Sequence, residues 1–241
     1  MGLFDFLTGG GDPQKQIEKH RKRLTDRFRQ TYERYEAMDA LAKLGTPEAF
    51  TALLGRFTIR VDGPTVDEEE KTYCYELLRS AGEPAVAPIE AFIAKNTAVY
   101  FPLRALREIA GDDRAVEALL AAMADCDPGY HEGLERLREI VSNLRDFQHN
   151  RVRSALESLV ESRSDEIRVF ALDGLSGYPN DEIAPLFATR LLEDESLRVR
   201  ALICELAIAN EMDFSAQREA LTGKLGEQYR LGEDGKIQRN L

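Results

Sequence analysis

The sequence contains LGTPEAF at residues 44–50, and two similar stretches follow it: AGEPAV at 81–86 and AGDDRAV at 110–116. In each stretch a glycine follows one amphipathic run, and a short turn opens a second run. Prolines early in the second run are compatible with the first turn of a helix. The pattern predicts a helical hairpin that repeats along the chain, with each hairpin burying its apolar face against its neighbours.

The second helices of the predicted hairpins align on one apolar position just inside the helix. Its occupants, 30 to 36 residues apart, are Phe50, Val86, Val116, Val152 and Ile183. Apolar residues return three and seven residues later in nearly every hairpin, which marks one face of a helix, and Arg190 is the exception. The alignment predicts that four residues at the second position are buried: Leu53, Ile89, Leu119 and Leu186.

Two first helices of later hairpins begin with related stretches, DEIRVFAL at 165–172 and ESLRVRAL at 195–202. With these motifs, residues 33 to 210 resemble the HEAT-repeat family in its short bacterial HEAT-like form, the PBS-lyase type. The resemblance implies an α-solenoid and says almost nothing about activity. Together with the C-terminal tail, the chain is similar to a set of uncharacterised bacterial HEAT-repeat proteins.

We therefore expect an all-α fold, a right-handed α-solenoid of about six HEAT-like helical hairpins with a small C-terminal β-hairpin. The expected parts are a flexible apolar segment at 1–13, a basic amphipathic helix at 14–32, the solenoid at 33–227 and the C-terminal hairpin and tail at 228–241. Apolar and polar residues alternate on both sides of the Asp-Gly turn at 234–235, and this pattern predicts the hairpin. The same kind of pattern makes residues 57–61 a second candidate strand.

The formal net charge of −11 argues against binding to nucleic acid, which needs cations to displace counterions from phosphates. Residues 14–35 are an exception, with eight cations and three anions, so this segment is +5 and the remainder is −16. The acidic run at 68–70 is interpreted as a solvated first helical turn in preference to a functional patch. Three widely separated cysteines, with no signal peptide or membrane span, predict a cytoplasmic protein.

The N-terminus concentrates large apolar side chains ahead of three glycines at 9–11. These residues, Leu3, Phe4, Phe6 and Leu7, form a candidate docking segment. One interpretation is that they enter a partner's groove or the inner face of a membrane, helped by the basic helix, whose apolar stripe is Ile17, Leu24 and Phe28. The favoured alternative is that they cap the open end of the solenoid or remain disordered.

Motifs for catalysis or cofactor binding are absent from the sequence. It contains neither a Walker-type phosphate loop nor a Gly-x-Ser-x-Gly elbow. Cys126 and His131 are five residues apart, but a zinc site needs a second ligand pair. HEAT-like enzymes imply other signatures: several His-Glu pairs for an iron hydroxylase, where this chain has His131-Glu132, or a basic aromatic groove for a DNA glycosylase. We therefore predict no catalytic residues, no metal site and no cofactor.

The predicted function is a non-catalytic protein–protein interaction module, an adaptor or assembly scaffold whose partner is another protein of unknown identity. The candidate partner-binding groove runs along the second helices and is defined by Thr51, Glu117, Arg153 and Glu157. Small residues nearby, at 55, 91, 121 and 188, either let helices pack closely or form the floor of this groove. The alternatives are a membrane-peripheral adaptor recruited by the N-terminal segment and a HEAT-like enzyme such as a tetrapyrrole lyase.

Overall fold

The computed structural model describes residues 12–127 and 129–240, which divide into two compact units. Unit 1 is Met1–Asp125 and unit 2 is Cys126–Leu241. The described residues are mostly helical and include a two-stranded antiparallel sheet near the C-terminus. The predicted class, a helical repeat protein with a C-terminal hairpin, is confirmed. The predicted extent of the solenoid, 33–227, stays a prediction.

The described part of unit 1 contains one helix followed by three helical hairpins. The helices are α1 Pro13–Leu24, α2 Thr31–Leu44, α3 Pro47–Leu54, α4 Pro64–Ala81, α5 Val86–Ile93, α6 Tyr100–Ala110 and α7 Asp112–Ala124. The first helices α2, α4 and α6 pack in that order, and so do the second helices α3, α5 and α7. Each hairpin therefore buries its apolar face against the next one, as the repeat predicts.

The repeated turns of unit 1 depend on a glycine that leaves the helical conformation. Gly45, Gly82 and Gly111 have φ angles of 65°, 66° and 87°. A side chain disfavours these angles, so glycine ends the first helix at little cost. After Gly45, the Thr46 side chain accepts a hydrogen bond from the Ala49 backbone N–H and starts α3. Two residues are thus enough to reverse the chain in the first of these turns.

The basic helix predicted at 14–32 is shorter than expected. It ends at Leu24, and α2 begins at Thr31. The Thr25 hydroxyl donates to the Arg21 carbonyl, and Asp26 accepts from the Phe28 N–H, so side chains take over the backbone bonds that would continue the helix. α1 packs against α2 and α3 and buries Leu24, and so it covers the first hairpin of unit 1.

The prediction of a second strand at residues 57–61 is wrong. Residues Gly55–Thr58 form a 3-10 turn, and the following segment pairs with side chains. The Arg56 guanidinium donates to the Ile59 carbonyl, and Asp67 accepts from the Val61 N–H at 3.0 Å. Phe57 and Val61 are buried, which explains the apolar alternation in the sequence. A strand needs a neighbouring strand for its backbone groups, and here two charged side chains satisfy them.

Unit 2 consists of two helical hairpins, a further helix and a C-terminal module. The helices are α8 His131–Leu144, α9 Asn150–Leu159, α10 Asp165–Leu175, α11 Asn180–Glu193, α12 Leu197–Ala209 and α13 Arg218–Leu221. α10 packs against α8, α9 and α12. The turns into α9 and α11 are four or five residues long, and Tyr178 links them by donating to the carbonyls of Phe147 and His149.

The C-terminal β-hairpin is confirmed, with β1 Tyr229–Leu231 antiparallel to β2 Ile237–Arg239. β2 packs against α12, and the Ile237 side chain is buried. Glu205 on α12 accepts from Tyr229 at 2.7 Å and pairs with Arg239, so both strands are tied to the last long helix. The hairpin therefore covers α12 with side chains, which satisfies the need of a terminal repeat for a cap.

Candidate functional site

The four residues of the predicted partner groove are distributed over both units. Thr51 on α3 and Glu117 on α7 are exposed in unit 1, where α5 packs against both helices. Arg153 and Glu157 lie on α9 of unit 2 and are joined by an ion pair of 2.8 Å. Arg153 also pairs with Glu182 of α11. The structure thus brings Arg153 and Glu157 together, and the four-residue groove stays a prediction.

The small residues beside that predicted groove have two different environments. Ala91 and Ala121 are exposed on α5 and α7, so they are not there to admit a neighbouring helix. Ala188 on α11 is buried, and a Cβ added to Gly55 would lie 3.1 Å from the Thr25 side chain. Close packing therefore explains two of these positions, and an open surface explains the other two.

The predicted docking segment, Leu3, Phe4, Phe6 and Leu7, lies outside the described residues. Immediately after α1, Phe28 is 77% exposed, and the Arg27 guanidinium lies 4.7 Å from the centre of its ring. The polar face of α1 and the following turn carry most of the basic segment. Arg34 is an exception because it is buried, so the cationic surface is smaller than the sequence indicates.

A groove that the sequence analysis did not identify lies between α2 and α4 of unit 1, with a volume of about 670 Å³. We call it the α2–α4 groove. The residues that define its chemistry are Tyr35 on α2, and Glu68, Glu69, Thr72, Tyr73 and Glu76 on α4. The α4 residues recur at helical spacing and therefore share one face of that helix. The opposite face of α4 buries Cys74 and Leu78 in the core.

Two tyrosines provide the apolar surface of the α2–α4 groove. The ring centroids of Tyr35 and Tyr73 are 4.9 Å apart, with the planes tilted by 57°. Tyr73 donates to Asp39 at 2.6 Å, which fixes its ring. Partial burial raises the pKa of Tyr35, and the carboxylates of Glu70 and Glu69 raise it further, so this phenol is neutral at physiological pH. Both rings are half-buried and leave surface for a ligand.

The polar lining of the α2–α4 groove is acidic. Glu68 and Glu69 are exposed, and neither forms an ion pair within residues 12–127 and 129–240. Glu76 pairs with Arg79, which lies outside the groove lining. Among the described residues that line the groove, none carries a positive charge. The charged side chains that line the groove are therefore all negative.

Below the groove, Glu70 belongs to a buried network of charges. It is fully buried and accepts two hydrogen bonds from Arg34 at 2.6 and 2.8 Å and one from Arg56 at 2.8 Å. Arg56 also donates to Asp67 at 2.8 Å, and Lys71 reaches the other oxygen of Asp67 at 2.6 Å. The interpretation of the run 68–70 as a solvated turn is therefore wrong for Glu70 and correct for the exposure of Glu68 and Glu69.

Buried residues of the network hold the groove in place. Burial tends to raise the pKa of Asp67, but hydrogen bonds from Lys71, Arg56 and the Val61 N–H outweigh it and lower the pKa to about 2. The network joins α2, the 3-10 turn after α3 and α4 through charged hydrogen bonds. Because these bonds are directional, they fix the relative position of the two helices that form the groove.

Within residues 12–127 and 129–240, there is no group of three or more histidine, cysteine or acidic residues placed to hold a metal ion. Burial raises the pKa of the Cys74 thiol, and it raises that of Cys204 to about 12, so these two thiols are protonated and unreactive. In the same part of the chain, no helix combines the length and apolar composition needed to cross a bilayer.

The first helical hairpin of unit 1 matches a known protein family. Residues 33–55, which contain most of α2 and all of α3, match the family model of the PBS lyase HEAT-like repeat. This match over one helical hairpin supports a HEAT-like repeat protein. The matched hairpin includes LGTPEAF and one wall of the α2–α4 groove, at Tyr35. A search of the curated proteins finds no match to this chain.

Sequence reasoning missed both the groove and the network, although a signal for the network is present. Arg34 lies four residues before the buried Met38, and Glu70 lies four residues before the buried Cys74. Each is thus a charged residue on an otherwise apolar helical stripe, which indicates a buried ion pair. For the groove, the tyrosines are on different helices, 38 positions apart in the sequence, and their contact depends on the packing of α2 against α4.

Proposed function

We propose that this HEAT-like repeat protein is a non-catalytic protein–protein interaction module, an adaptor or assembly scaffold, that holds a partner in the α2–α4 groove. The observation that carries the proposal is the groove itself, an open surface with two half-exposed tyrosines. Tyrosine supplies a large contact area at low entropic cost and is enriched at the centres of protein interfaces. HEAT-like repeats generally mediate contacts between proteins, which supports the same class of function.

The proposed site differs from the groove predicted along the second helices. Arg153 is one of the residues predicted to contact the partner, but its guanidinium forms ion pairs with Glu157 and Glu182. The α2–α4 groove instead combines apolar rings with unpaired polar groups, as a specific binding surface requires. The buried network beneath it keeps this surface in one conformation before binding, which lowers the entropic cost of association.

A photocrosslinking experiment in cells tests the proposal with the full chain. A photoreactive amino acid at Thr72 is expected to capture one protein reproducibly, and the same probe at Ser158, exposed on α9 of unit 2, is expected not to capture it. Adding Tyr73→Ala should abolish the capture, while circular dichroism shows an intact fold. The proposal is contradicted if the two probes capture the same proteins, or if Tyr73→Ala changes nothing.

The same experiment decides between the two candidate surfaces. Charge reversal of Glu117, Arg153 and Glu157 together should leave the crosslink at Thr72 unchanged if the α2–α4 groove is the binding site. Loss of the crosslink in this triple variant, with an unchanged melting temperature, would instead locate the partner on the second helices. Because the variants alter different units or different faces of unit 1, they separate the two surfaces.

A second candidate function is a membrane-peripheral adaptor, which the exposed Phe28 favours. Its ring lies against the Arg27 guanidinium, and each cation near an anionic surface contributes about 1 kcal/mol to binding. The apolar face of α1 is packed against α2 and α3, so insertion of that face is not available. Flotation with vesicles containing phosphatidylserine tests this function, and Phe28→Ser should reduce the bound fraction if it is correct.

A further inference from the structure

We infer that the partner segment held in the α2–α4 groove is basic, and that an arginine or lysine side chain of this segment contacts Tyr35 and Tyr73. This inference rests on the proposed function and adds the chemical class of the partner. It follows from the charge of the groove, the arrangement of its rings and the state of its carboxylates.

The charge of the groove selects among partners. Its lining contains three glutamates, and Glu68 and Glu69 are exposed without an ion pair in the described part of the chain. An apolar segment would remove these carboxylates from water without a compensating contact, and an acidic segment would be repelled. A basic segment supplies both hydrogen-bond donors and the opposite charge, so charge complementarity favours it.

The aromatic rings explain where the cation lies. Tyr35 and Tyr73 are tilted against each other, and neither ring has a cation of this chain over its face in the described residues. By contrast, Tyr75 on the neighbouring face of α4 is covered by Arg104 at 4.4 Å. The Tyr75 contact demonstrates the geometry that this chemistry adopts: a guanidinium over a tyrosine ring beside a carboxylate, Glu108. In the α2–α4 groove the rings and carboxylates are present, and we assign the cation to the partner.

Glu76, the third glutamate of the groove lining, contributes least to binding a cation. Glu76 pairs with Arg79, so it contributes less negative charge than Glu68 and Glu69. The contact with a cation is therefore concentrated toward the N-terminal half of α4, near Tyr35 and Tyr73. Since exposed ion pairs and cation–π contacts are individually weak, we expect reversible and salt-sensitive binding.

A fluorescence anisotropy titration of the full chain tests the inference. The probe is a fluorescein-labelled peptide of alternating arginine and glycine, with comparison peptides in which citrulline or glutamate replaces arginine. The arginine peptide should bind at low salt and weaken when salt rises from about 50 to about 300 mM. The citrulline peptide should bind about ten-fold more weakly, because it keeps the shape and loses the charge.

Matched variants distinguish a specific site from the general attraction of an acidic protein. E68K/E69K should weaken binding by about ten-fold or more, whereas E132K/E135K on α8, with the same change in net charge, should alter it less than about two-fold. Tyr73→Leu should weaken binding by about five-fold, and Tyr73→Phe, which keeps the ring, by less. Circular dichroism melting verifies that each variant is folded.

Three results would overturn the inference. These are equal losses for E68K/E69K and E132K/E135K, equal binding of the arginine and citrulline peptides, and no binding of the arginine peptide at about 1 mM. If the Thr72 probe still captures a protein in any of these cases, the proposed function stands and only the basic character of the partner is wrong. If that probe captures no specific protein, the proposed function itself fails.

Discussion

Unit 1 and unit 2 are built from the same kind of hairpin, but their second helices bury different faces. In unit 1, α5 buries Val86, Ile89 and Ile93, the predicted spacing of three and seven residues. In unit 2, the buried residues of α11 are four and eight apart: Ile183, Phe187 and Leu191. Because each residue advances about 100° around a helix, this shift rotates the buried face by roughly 70°.

The turns before the second helices differ as well. In unit 1 a positive-φ glycine reverses the chain within one or two residues in two of the three hairpins, which fixes how the second helix starts. In unit 2 the turns into α9 and α11 are longer and are tied together by Tyr178. Residues that align at the start of the second helices therefore do not guarantee that the buried residues further along these helices align as well.

The polar interiors of the two units differ as well. Unit 1 buries a network around Glu70, which holds two arginines from different elements. Unit 2 has a simpler pair, in which Arg168 donates to both oxygens of Asp194 at 2.7 and 2.8 Å and is 14% exposed. We therefore expect charge substitutions to destabilise unit 1 more than unit 2.

The largest expected effect follows from removing Glu70. Glu70→Ala leaves Arg34 and Arg56 buried without their shared carboxylate and should lower the free energy of unfolding by about 3–5 kcal/mol. Asp194→Ala is the matched change in unit 2 and should cost about 1–3 kcal/mol, since Arg168 is nearer to solvent and keeps its bond to the Ser162 carbonyl. Urea unfolding followed by circular dichroism measures both. Equal losses would contradict the difference between the units.

The second prediction tests the two core registers. Leu119 in unit 1 is fully buried, and Leu119→Ala should cost about 2–5 kcal/mol. Leu186 was predicted to be buried at the equivalent position, but it is half-buried, and Phe187 is in the core instead. Leu186→Ala should therefore cost about 1 kcal/mol or less. Thermal melting of both variants checks this, and a larger loss for Leu186→Ala than for Leu119→Ala would reject the shifted register.

The third prediction concerns the pH dependence of unit 1. The pKa of Asp67 is about 2 in the folded protein and 3.8 as its ordinary value. Its stabilising contribution is therefore present above about pH 4 and is lost as the pH falls toward 2, a change of about 2 kcal/mol. Asp67→Asn should be less stable at neutral pH and should show a correspondingly weaker acid dependence. Parallel stability curves for both proteins would exclude this role of Asp67.

The smallest expected effect is at the turns of unit 2. Tyr178→Phe removes the hydroxyl that donates to the Phe147 and His149 carbonyls, and we expect a loss of about 1 kcal/mol. The ring stays in place, so packing is preserved. Hydrogen exchange of the residues between 145 and 149 should increase in this variant. Unchanged exchange would mean that the hydroxyl does not hold the two turns together.

Much of the fold could be predicted because its signals are local. The glycine in LGTPEAF and in its two relatives permits the positive φ found at each of these turns, and the stripe in α5 follows from helical spacing alone. The C-terminal hairpin was predicted from its Asp-Gly turn for the same reason. The strand at 57–61 was predicted wrongly, because its alternation came from the burial of Phe57 and Val61 around a 3-10 turn.

The sequence by itself determined the hairpin repeat, the apolar positions of unit 1 and the acidic character of the chain, since each depends on residues close together or on simple counting. Only the tertiary structure decided which face α11 buries, because contacts with neighbouring elements select between two nearly equivalent apolar stripes. It also decided that Glu70 is buried between Arg34 and Arg56, and that Tyr35 meets Tyr73. These contacts join separate elements, and only the packing of α2 against α4 brings them within reach.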